Sequence, residues 1–216
     1  YTFNVTEYST PGVPQNEYMG VLETSYNPVS ITSVTQSPLA GAVYPENSVY
    51  VTVNTSAAPS AGEYVFVRYS TAINFSTSTL LQVTMTGTTG TVEIPCQTAS
   101  TTIYYYAFTS NRTSASILAD VGTYGQVAHD MSTLAINNNS GPNYNYTVLP
   151  SVGFCGNYYV PSTCYPTIAS FVTAINAGTV SCDVICNVAA GHTETAPAGG
   201  INLTQTGTAA NTITFV

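Results

Sequence analysis

Apolar side chains alternate with other side chains along most of the sequence from about residue 30. The run SVYVTVNTS places Val49, Val51 and Val53 at every second position, and EYVFVRYST does the same with Val65 and Val67. The runs LLQVTMTG, TVEIPCQ and YNYTVLP continue the pattern, separated by turn-forming segments such as APSAGE and TGTTGT. A period of two with short turns predicts antiparallel β-strands packed into a β-sandwich.

Three adjacent tyrosines in the segment TTIYYYAFTS raise the question of a ligand-binding platform. Successive side chains of a strand point to opposite faces of the sheet. Tyr105 is therefore predicted to share one face with Ile103 and Ala107, and Tyr104 and Tyr106 to share the other. Three rings divided between two faces cannot form one stacking surface, so this segment is interpreted mainly as scaffold.

The strands of this part resemble a known module. The sequence GEYVFVRYSTAINFSTSTLLQVTMTGTTGTVEIPCQTASTTIYYYAFTS, followed by NNNSGPNYNYTV, is similar to the fibronectin-III/immunoglobulin-like module of large secreted bacterial surface proteins, especially those exported by the type IX system. The resemblance implies an antiparallel β-sandwich over residues 30–149. It also sets residues 111–136 apart as an insertion, interpreted as a covering flap or, alternatively, as a binding loop.

After Pro150 the pattern changes to helical spacing. Apolar residues recur on one helical face in CYPTIASFVTAINAG, at Ile168, Phe171, Val172 and Ile175. Thr163 or Thr167 is predicted to cap this helix and Gly178 to end it. Three short strands are predicted next, in CDVICNVAAGHTE, GGINLTQTG and NTITFV. Residues 150–216 resemble the entry to a pectin-lyase-like right-handed β-helix, which implies a capping helix and first coils.

Both ends of the sequence carry short apolar patterns that suggest assembly. Residues 1–29 are interpreted as a separate extended segment, in which Phe3 and Val5 alternate with polar residues before a Pro/Gly break. This segment is expected either to lie along its own sandwich or to add to a neighbour's sheet edge. Ile213 and Phe215 form an apolar face, expected to be covered by further coils of a longer parent chain or by the N-terminal strand of another copy.

Charge is scarce in this sequence. Of 216 residues, 6% are charged, the net charge is −8, and Arg68 and Arg112 are the only basic residues besides histidine. Nucleic-acid binding is effectively excluded because two arginines are too few to neutralise a phosphate backbone, and a polybasic membrane contact is excluded for the same reason. No apolar run approaches the length that crosses a bilayer. A surface hydrated by 56 serine and threonine residues favours an extracellular or cell-surface location.

Cysteine positions favour disulfides over zinc. Four of the five cysteines cluster in the last third of the chain, without paired CxxC ligands. Two disulfides are expected among these four, with Cys182 and Cys186 each pairing with Cys155 or Cys164. Cys96 is left over and is interpreted as a buried unpaired thiol.

No catalytic set is predicted, and no metal or cofactor. His192 and Glu194 lie two residues apart at a predicted strand end, but they lack a nucleophile and a third orienting group. His129 and Asp130 are adjacent, which turns their side chains in different directions in an extended chain. Asp183 is isolated, so calcium ligation is not expected.

Seven N-x-S/T sequons mark possible glycosylation sites in a secreted protein. They begin at Asn4, Asn54, Asn74, Asn111, Asn138, Asn145 and Asn202.

Together these features predict a non-catalytic extracellular structural or adhesive module, a subunit or fragment of a bacterial surface fibre or adhesin. Its expected partners are copies of itself or the rest of a longer parent chain, with glycans as a further possibility. One alternative is a carbohydrate-binding module that uses exposed Tyr64, Tyr104 or Tyr106, although the chain has no tryptophan. Another is the non-catalytic front part of a polysaccharide-degrading β-helix enzyme.

Overall fold

The computed structural model describes residues 27–216, so the predictions on Phe3, Asn4 and Val5 lie outside the described residues. In this range a short 3-10 turn at Ala40–Ala42 accompanies eleven strands and three α-helices. The strands are β1 (Ile31–Ser37), β2 (Val49–Thr55), β3 (Tyr64–Ser70), β4 (Thr79–Thr86), β5 (Thr89–Ile94), β6 (Thr102–Ser110), β7 (Ala135–Asn137), β8 (Tyr144–Thr147), β9 (Phe154–Val160), β10 (Val180–Val188) and β11 (Ile213–Phe215). The helices are α1 (Ser114–Tyr124), α2 (Val127–Met131) and α3 (Ile168–Ala177).

The first eight strands form one antiparallel sheet that nearly closes on itself. Its strand order is β1-β2-β5-β4-β3-β6-β7, and β8 also pairs with β6. Strand β4 pairs with β3 through residues 79–83 and with β5 through residues 84–86, so it turns the sheet through a corner. At the opposite side, the Asn137 side-chain amide donates to the Ile31 carbonyl across 3.4 Å. The all-β prediction is confirmed for the described residues.

The inside of this sheet is the larger apolar core. Val51, Val53, Val67 and Ile103 are fully buried there, as the period of two predicts. Tyr105 joins them, and its hydroxyl donates to the Gln36 side chain at 2.8 Å. The division of the three tyrosines between two faces is confirmed, because Tyr106 packs on the outside of the sheet.

A second apolar core covers the outer face of β3 and β6. Phe66 and Phe108 stack there with their ring centroids 5.3 Å apart, and Ile117 of α1 packs on them. Thr113 caps the start of helix α1, and its hydroxyl accepts the Ser116 backbone N–H. The sequence interpretation placed a single helix in the whole chain, so α1 and α2 are a correction. Their packing supports the interpretation of the insertion as a covering flap.

The C-terminal part forms a three-stranded parallel sheet in the order β11-β10-β9. Helix α3 connects β9 to β10, and its buried residues are Phe171, Val172 and Ile175, as helical spacing predicts. Thr167 caps its first turn in a reciprocal capping box with Ser170, and Gly178 follows its last turn. Both predicted ends of this helix are confirmed.

One predicted strand in this part is wrong. GGINLTQTG forms no strand, because its backbone bonds to a side chain instead of to a neighbouring strand. The Asn176 side-chain amide donates to the Asn202 carbonyl and its oxygen accepts the N–H groups of Thr204 and Gln205. Gly199 and Gly200 enter this loop with positive φ angles of 96° and 80°. Strand β9, by contrast, was not predicted.

Candidate functional site at the junction of the two sheets

A disulfide joins the antiparallel sheet to the parallel sheet. Cys96 follows β5 and Cys164 follows β9, and their Cα atoms lie 5.6 Å apart in the Cys96–Cys164 bridge. The expectation that Cys96 stays an unpaired thiol is therefore wrong. Folding brings together two loops that lie 68 residues apart in sequence, which spacing within the cysteine cluster cannot reveal.

The second disulfide lies within the parallel sheet, between Cys155 and Cys182, with Cα atoms 4.8 Å apart. The predicted bridge to Cys186 is wrong, because this side chain points into the apolar core beside Val184 and α3. Burial raises the pKa of the Cys186 thiol to about 11. Cys186 is therefore a packing residue with an unreactive thiol.

Hydrogen bonds reinforce the junction on both sides of the disulfide. The Glu93 carboxylate of β5 accepts from the Ser48 hydroxyl at 2.5 Å and from the Thr163 hydroxyl at 2.7 Å. The Tyr165 hydroxyl donates to the Glu46 carbonyl across 3.2 Å, and the Ser151 hydroxyl donates to the Glu46 carboxylate. Glu93 on β5 and Glu46 in the segment before β2 thus serve as acceptors for the C-terminal part.

Between these contacts lies a cavity of about 260 Å³, which we call the junction cavity. Its aromatic walls come from both sheets: Tyr50 from β2, Tyr158 and Tyr159 from β9, and Tyr165 from the following loop. The rings of Tyr50 and Tyr159 meet edge to face with centroids 6.4 Å apart. Burial, assisted by the Glu93 carboxylate and Tyr159, raises the pKa of Tyr50 to about 12.

A second cavity, of about 380 Å³, lies under α2 and contains Arg68. The guanidinium is buried and donates to the side chains of Ser78, Tyr106 and Gln126 at 2.7–2.9 Å. The carboxylate of Asp130 lies 3.8 Å from it and is mostly exposed to solvent. Arg68 therefore connects the sheet to the covering helices, a role that strand alternation alone does not indicate.

The tyrosines proposed for carbohydrate binding are not exposed. Tyr106 is 5% exposed and bonds to Arg68, while Tyr64 and Tyr104 are half-buried against the outer core. Tyr106 also lines the cavity under α2, so it is not the exposed residue that the carbohydrate alternative requires. Carbohydrate binding through Tyr64 or Tyr104 stays a prediction.

The predicted acidic and histidine candidates have structural partners. Glu194 accepts the N–H groups of Ile168 and Ala169 at the start of α3, and it bonds to His192 at 2.9 Å. Asp183 accepts from the backbone and the hydroxyl of Thr212 just before β11, which lowers the pKa of its carboxyl. His192 and Glu194 are thus brought together, as a helix cap.

Among the described residues, His129 and Asp130 form no hydrogen bond or ion pair with each other; His129 contacts the Gln126 carbonyl and Asp130 lies near Arg68. The His129 ring is buried, and burial lowers its pKa, with the positive charge of Arg68 adding to the effect. The Asp130 side chain is mostly exposed.

We expect the Glu194 carboxylate at the start of α3 to make the stability of the protein depend on pH. The hydrogen bond from His192 and those from the α3 backbone lower the pKa of Glu194. Its stabilisation is therefore present above the ordinary glutamate pKa and is lost as pH falls through the lower folded pKa. Glu194→Gln should lower the melting temperature at pH 7, and the difference from wild type should shrink below about pH 4. Thermal unfolding at several pH values measures this, with the exposed Thr193→Ala as the control. A pH-independent difference would contradict it.

Four sequon asparagines are exposed, namely Asn74, Asn111, Asn145 and Asn202. Asn138 is half-buried, and so is Asn54, whose amide donates to Ser33 and whose oxygen accepts from Thr89. A glycan on Asn54 would break this pair of hydrogen bonds. Glycosylation of the exposed sites stays a prediction.

Ile213 and Phe215 belong to the edge strand of the parallel sheet. Ile213 packs partly against the core, and the Phe215 ring, 40% exposed, contacts Phe171 edge to face at 5.9 Å. Strand β11 pairs with β10 on one side, and no strand of residues 27–216 pairs with its other side. This edge is available for a further strand.

Metal ligands, membrane-spanning helices and known relatives are considered last. Residues 27–216 contain no group of three or more histidine, cysteine, aspartate or glutamate side chains arranged to hold a metal ion. No helix within that range has the length and apolar character needed to cross a bilayer. No protein-family model matches the chain, and no curated protein is similar to it in sequence.

Proposed function

We propose that the chain is a non-catalytic structural or adhesive module of an extracellular surface protein. The observation that carries this proposal is the covalent junction, in which the Cys96–Cys164 bridge holds two different sheets in one unit. Disulfides persist in oxidising compartments, and a chain poor in charge gains little stability from ion pairs. Two sheets joined by a disulfide suit a protein that bears mechanical force or presents a binding surface outside the cell.

Strand pairing supports the proposed fibronectin-III/immunoglobulin-like module. One half of the antiparallel sheet pairs β1, β2 and β5, and the other pairs β4, β3, β6 and β8. Two such layers are expected of a fibronectin-III/immunoglobulin-like sandwich. In the C-terminal part, parallel strands are expected in a right-handed β-helix, although α3 connects β9 to β10 here instead of preceding the first strand. Both modules belong to the proposed type IX-exported surface protein.

The use of the acidic residues supports a role without catalysis. Glycoside hydrolysis requires two carboxyl groups facing one bond. In the C-terminal part, Asp183 fixes β11 and Glu194 caps α3. Glu46 and Glu93 accept hydrogen bonds across the junction. These four carboxylates are engaged in holding the fold.

Assembly through the free edge of β11 is part of the proposal. Thr212 and Val216 bond towards β10, so alternation turns the N–H and C=O groups of Ile213 and Phe215 to the free edge. We propose that a strand from another copy pairs there, which gives a head-to-tail contact and a filament.

Two substitutions of Phe215 test this assembly. Phe215→Pro removes the ring and also the outward N–H, whereas Phe215→Ala removes only the ring. We expect filaments of the wild type and the alanine variant in electron micrographs, and single particles of the proline variant. Filaments of equal length in all three, or none in the wild type, would contradict assembly through this edge. Absence of filaments would favour the rest of a longer parent chain as the partner.

A further inference from the structure

We propose that the junction cavity binds a neutral sugar ring. This site differs from the three tyrosines considered from the sequence, and it does not depend on filament assembly. It is formed only when both sheets are present, because Tyr50 comes from one sheet and Tyr159 from the other.

The aromatic wall provides the surface on which a sugar ring packs. The Tyr159 side chain is 51% exposed although it belongs to a strand, and its ring meets Tyr50 edge to face. An exposed aromatic ring beside a concave surface is typical of ligand sites. Pyranose rings have one face of C–H groups, which pack on such a ring without needing charge.

The polar groups of the cavity include several that have no partner within residues 27–216. The hydroxyl groups of Tyr50 and Tyr159 make no side-chain hydrogen bond in this range, nor does the amide nitrogen of Asn47, whose oxygen accepts the Tyr44 N–H. Oε2 of Glu46, which lines the cavity, is buried without a partner there. Tyrosine is ordinarily protonated at neutral pH, and burial raises the pKa of Tyr50 further, so its hydroxyl is able to donate. Hydroxyl-rich ligands match such a mixture of donors and acceptors.

Charge selects against an acidic ligand. No basic residue is among the described residues lining the cavity, whereas Glu46 lines it and Glu93 lies close to Tyr50. The cavity is also smaller than the roughly 300–1,000 Å³ of sites for drug-sized ligands. A single neutral pyranose fits both restrictions better than a uronic acid or a long stacked oligosaccharide.

The disulfide preorganises the site. Cys164 lies between Ser162 and Tyr165, two residues of the cavity wall, and its bridge to Cys96 fixes them against the antiparallel sheet. A site whose walls are held before the ligand arrives loses less entropy on binding. Loss of this bridge should therefore weaken sugar binding.

Binding of simple glycosides to the full chain tests the proposal. The probes are the methyl glycosides of glucose, galactose, mannose and N-acetylglucosamine, with methyl glucuronide as the acidic comparison, followed by saturation-transfer NMR and calorimetry. We expect at least one neutral glycoside to bind and the glucuronide to bind more weakly. Tyr159→Ala should weaken binding about tenfold or more, since exposed aromatic anchors dominate small sites.

A matched control distinguishes the loss of a tyrosine in the junction cavity from the loss of an exposed tyrosine elsewhere. Tyr124 is 63% exposed on α1 and does not line the junction cavity, so Tyr124→Ala should leave binding unchanged. Replacing Cys96 and Cys164 together by serine should weaken binding in the same direction as Tyr159→Ala. The proposal is overturned if none of the neutral glycosides binds to the wild type, or if the Tyr159 and Tyr124 variants behave alike. Filament formation is measured in a separate experiment. The result of the sugar-binding experiment, whether positive or negative, therefore does not decide the proposed function.

Discussion

Replacing Cys96 and Cys164 together by serine is expected to lower the free energy of unfolding by about 4 kcal/mol, because the bridge closes a loop between residues 68 apart in sequence. The cross-link restricts the unfolded chain, and its removal restores that entropy. The remaining junction contacts are mainly hydrogen bonds, worth about 1 kcal/mol each. We therefore also expect the single unfolding transition to separate into two, one for each sheet. Guanidinium unfolding followed by circular dichroism and tyrosine fluorescence measures both effects.

The second disulfide provides the control for this variant. Cys155 and Cys182 are 27 residues apart, and both lie in the parallel sheet. Their replacement by serine should lower the free energy of unfolding by about 3.5 kcal/mol, and only the unfolding transition of the parallel sheet should change. An unchanged midpoint with one transition in the Cys96/Cys164 variant would show that the bridge does not hold the two sheets together.

Arg68→Met is expected to lower the free energy of unfolding by about 3 kcal/mol, since it removes the hydrogen bonds of a buried charged donor and takes this donor away from the Tyr106 hydroxyl and the Phe75 carbonyl. The acceptors are the side chains of Ser78, Tyr106 and Gln126 and the carbonyl of Phe75. The Phe75 ring also loses the guanidinium, which lies 5.0 Å from its centroid. Urea unfolding measures the change, and limited proteolysis between residues 111 and 136 should become faster as the covering helices detach.

The other arginine of the chain is the matched control. Arg112 pairs with Asp120 on the surface, and its side chain is 43% exposed. Exposed ion pairs contribute little, so Arg112→Met should change stability by less than about 1 kcal/mol. Equal losses in the two variants would show that burial of the Arg68 guanidinium is not the reason for its effect.

Elements defined by local signals were predictable from sequence. The alternation that places Tyr105 inside the sheet depends only on the geometry of one strand. Thr167 and Gly178 bound α3 through contacts within a few residues. Helix α1 was missed although comparable signals exist, with Thr113 as its cap and Ile117 and Val121 spaced by four. These signals are local, so the sequence of the insertion itself indicates this helix.

The junction was not predictable because it depends on how two sheets dock. The sequence around Cys96 does not indicate that it pairs with Cys164. The sequence around Tyr50 likewise does not indicate that its ring contacts Tyr159. The alternation of β3 turns the Arg68 side chain to the outer face of the sheet, and from the strand alone it would be expected to lie in solvent. Gln126 becomes its partner only because α2 packs on this face. Long-range docking of this kind creates the candidate site, while periodicity describes the strands that carry it.

Burial of the Cys186 thiol imposes an order of events on oxidative folding. Cys182 and Cys186 lie four residues apart, so an unfolded chain offers Cys155 two partners at nearly equal loop lengths. Cys186 becomes unable to pair with Cys155 only when it packs against α3 in the core. Oxidation that precedes packing of this core therefore yields a mixture of pairings, whereas oxidation that follows it yields the native bridge. Once folded, the thiol is too rarely ionised to attack that bridge, so the correct pairing is retained.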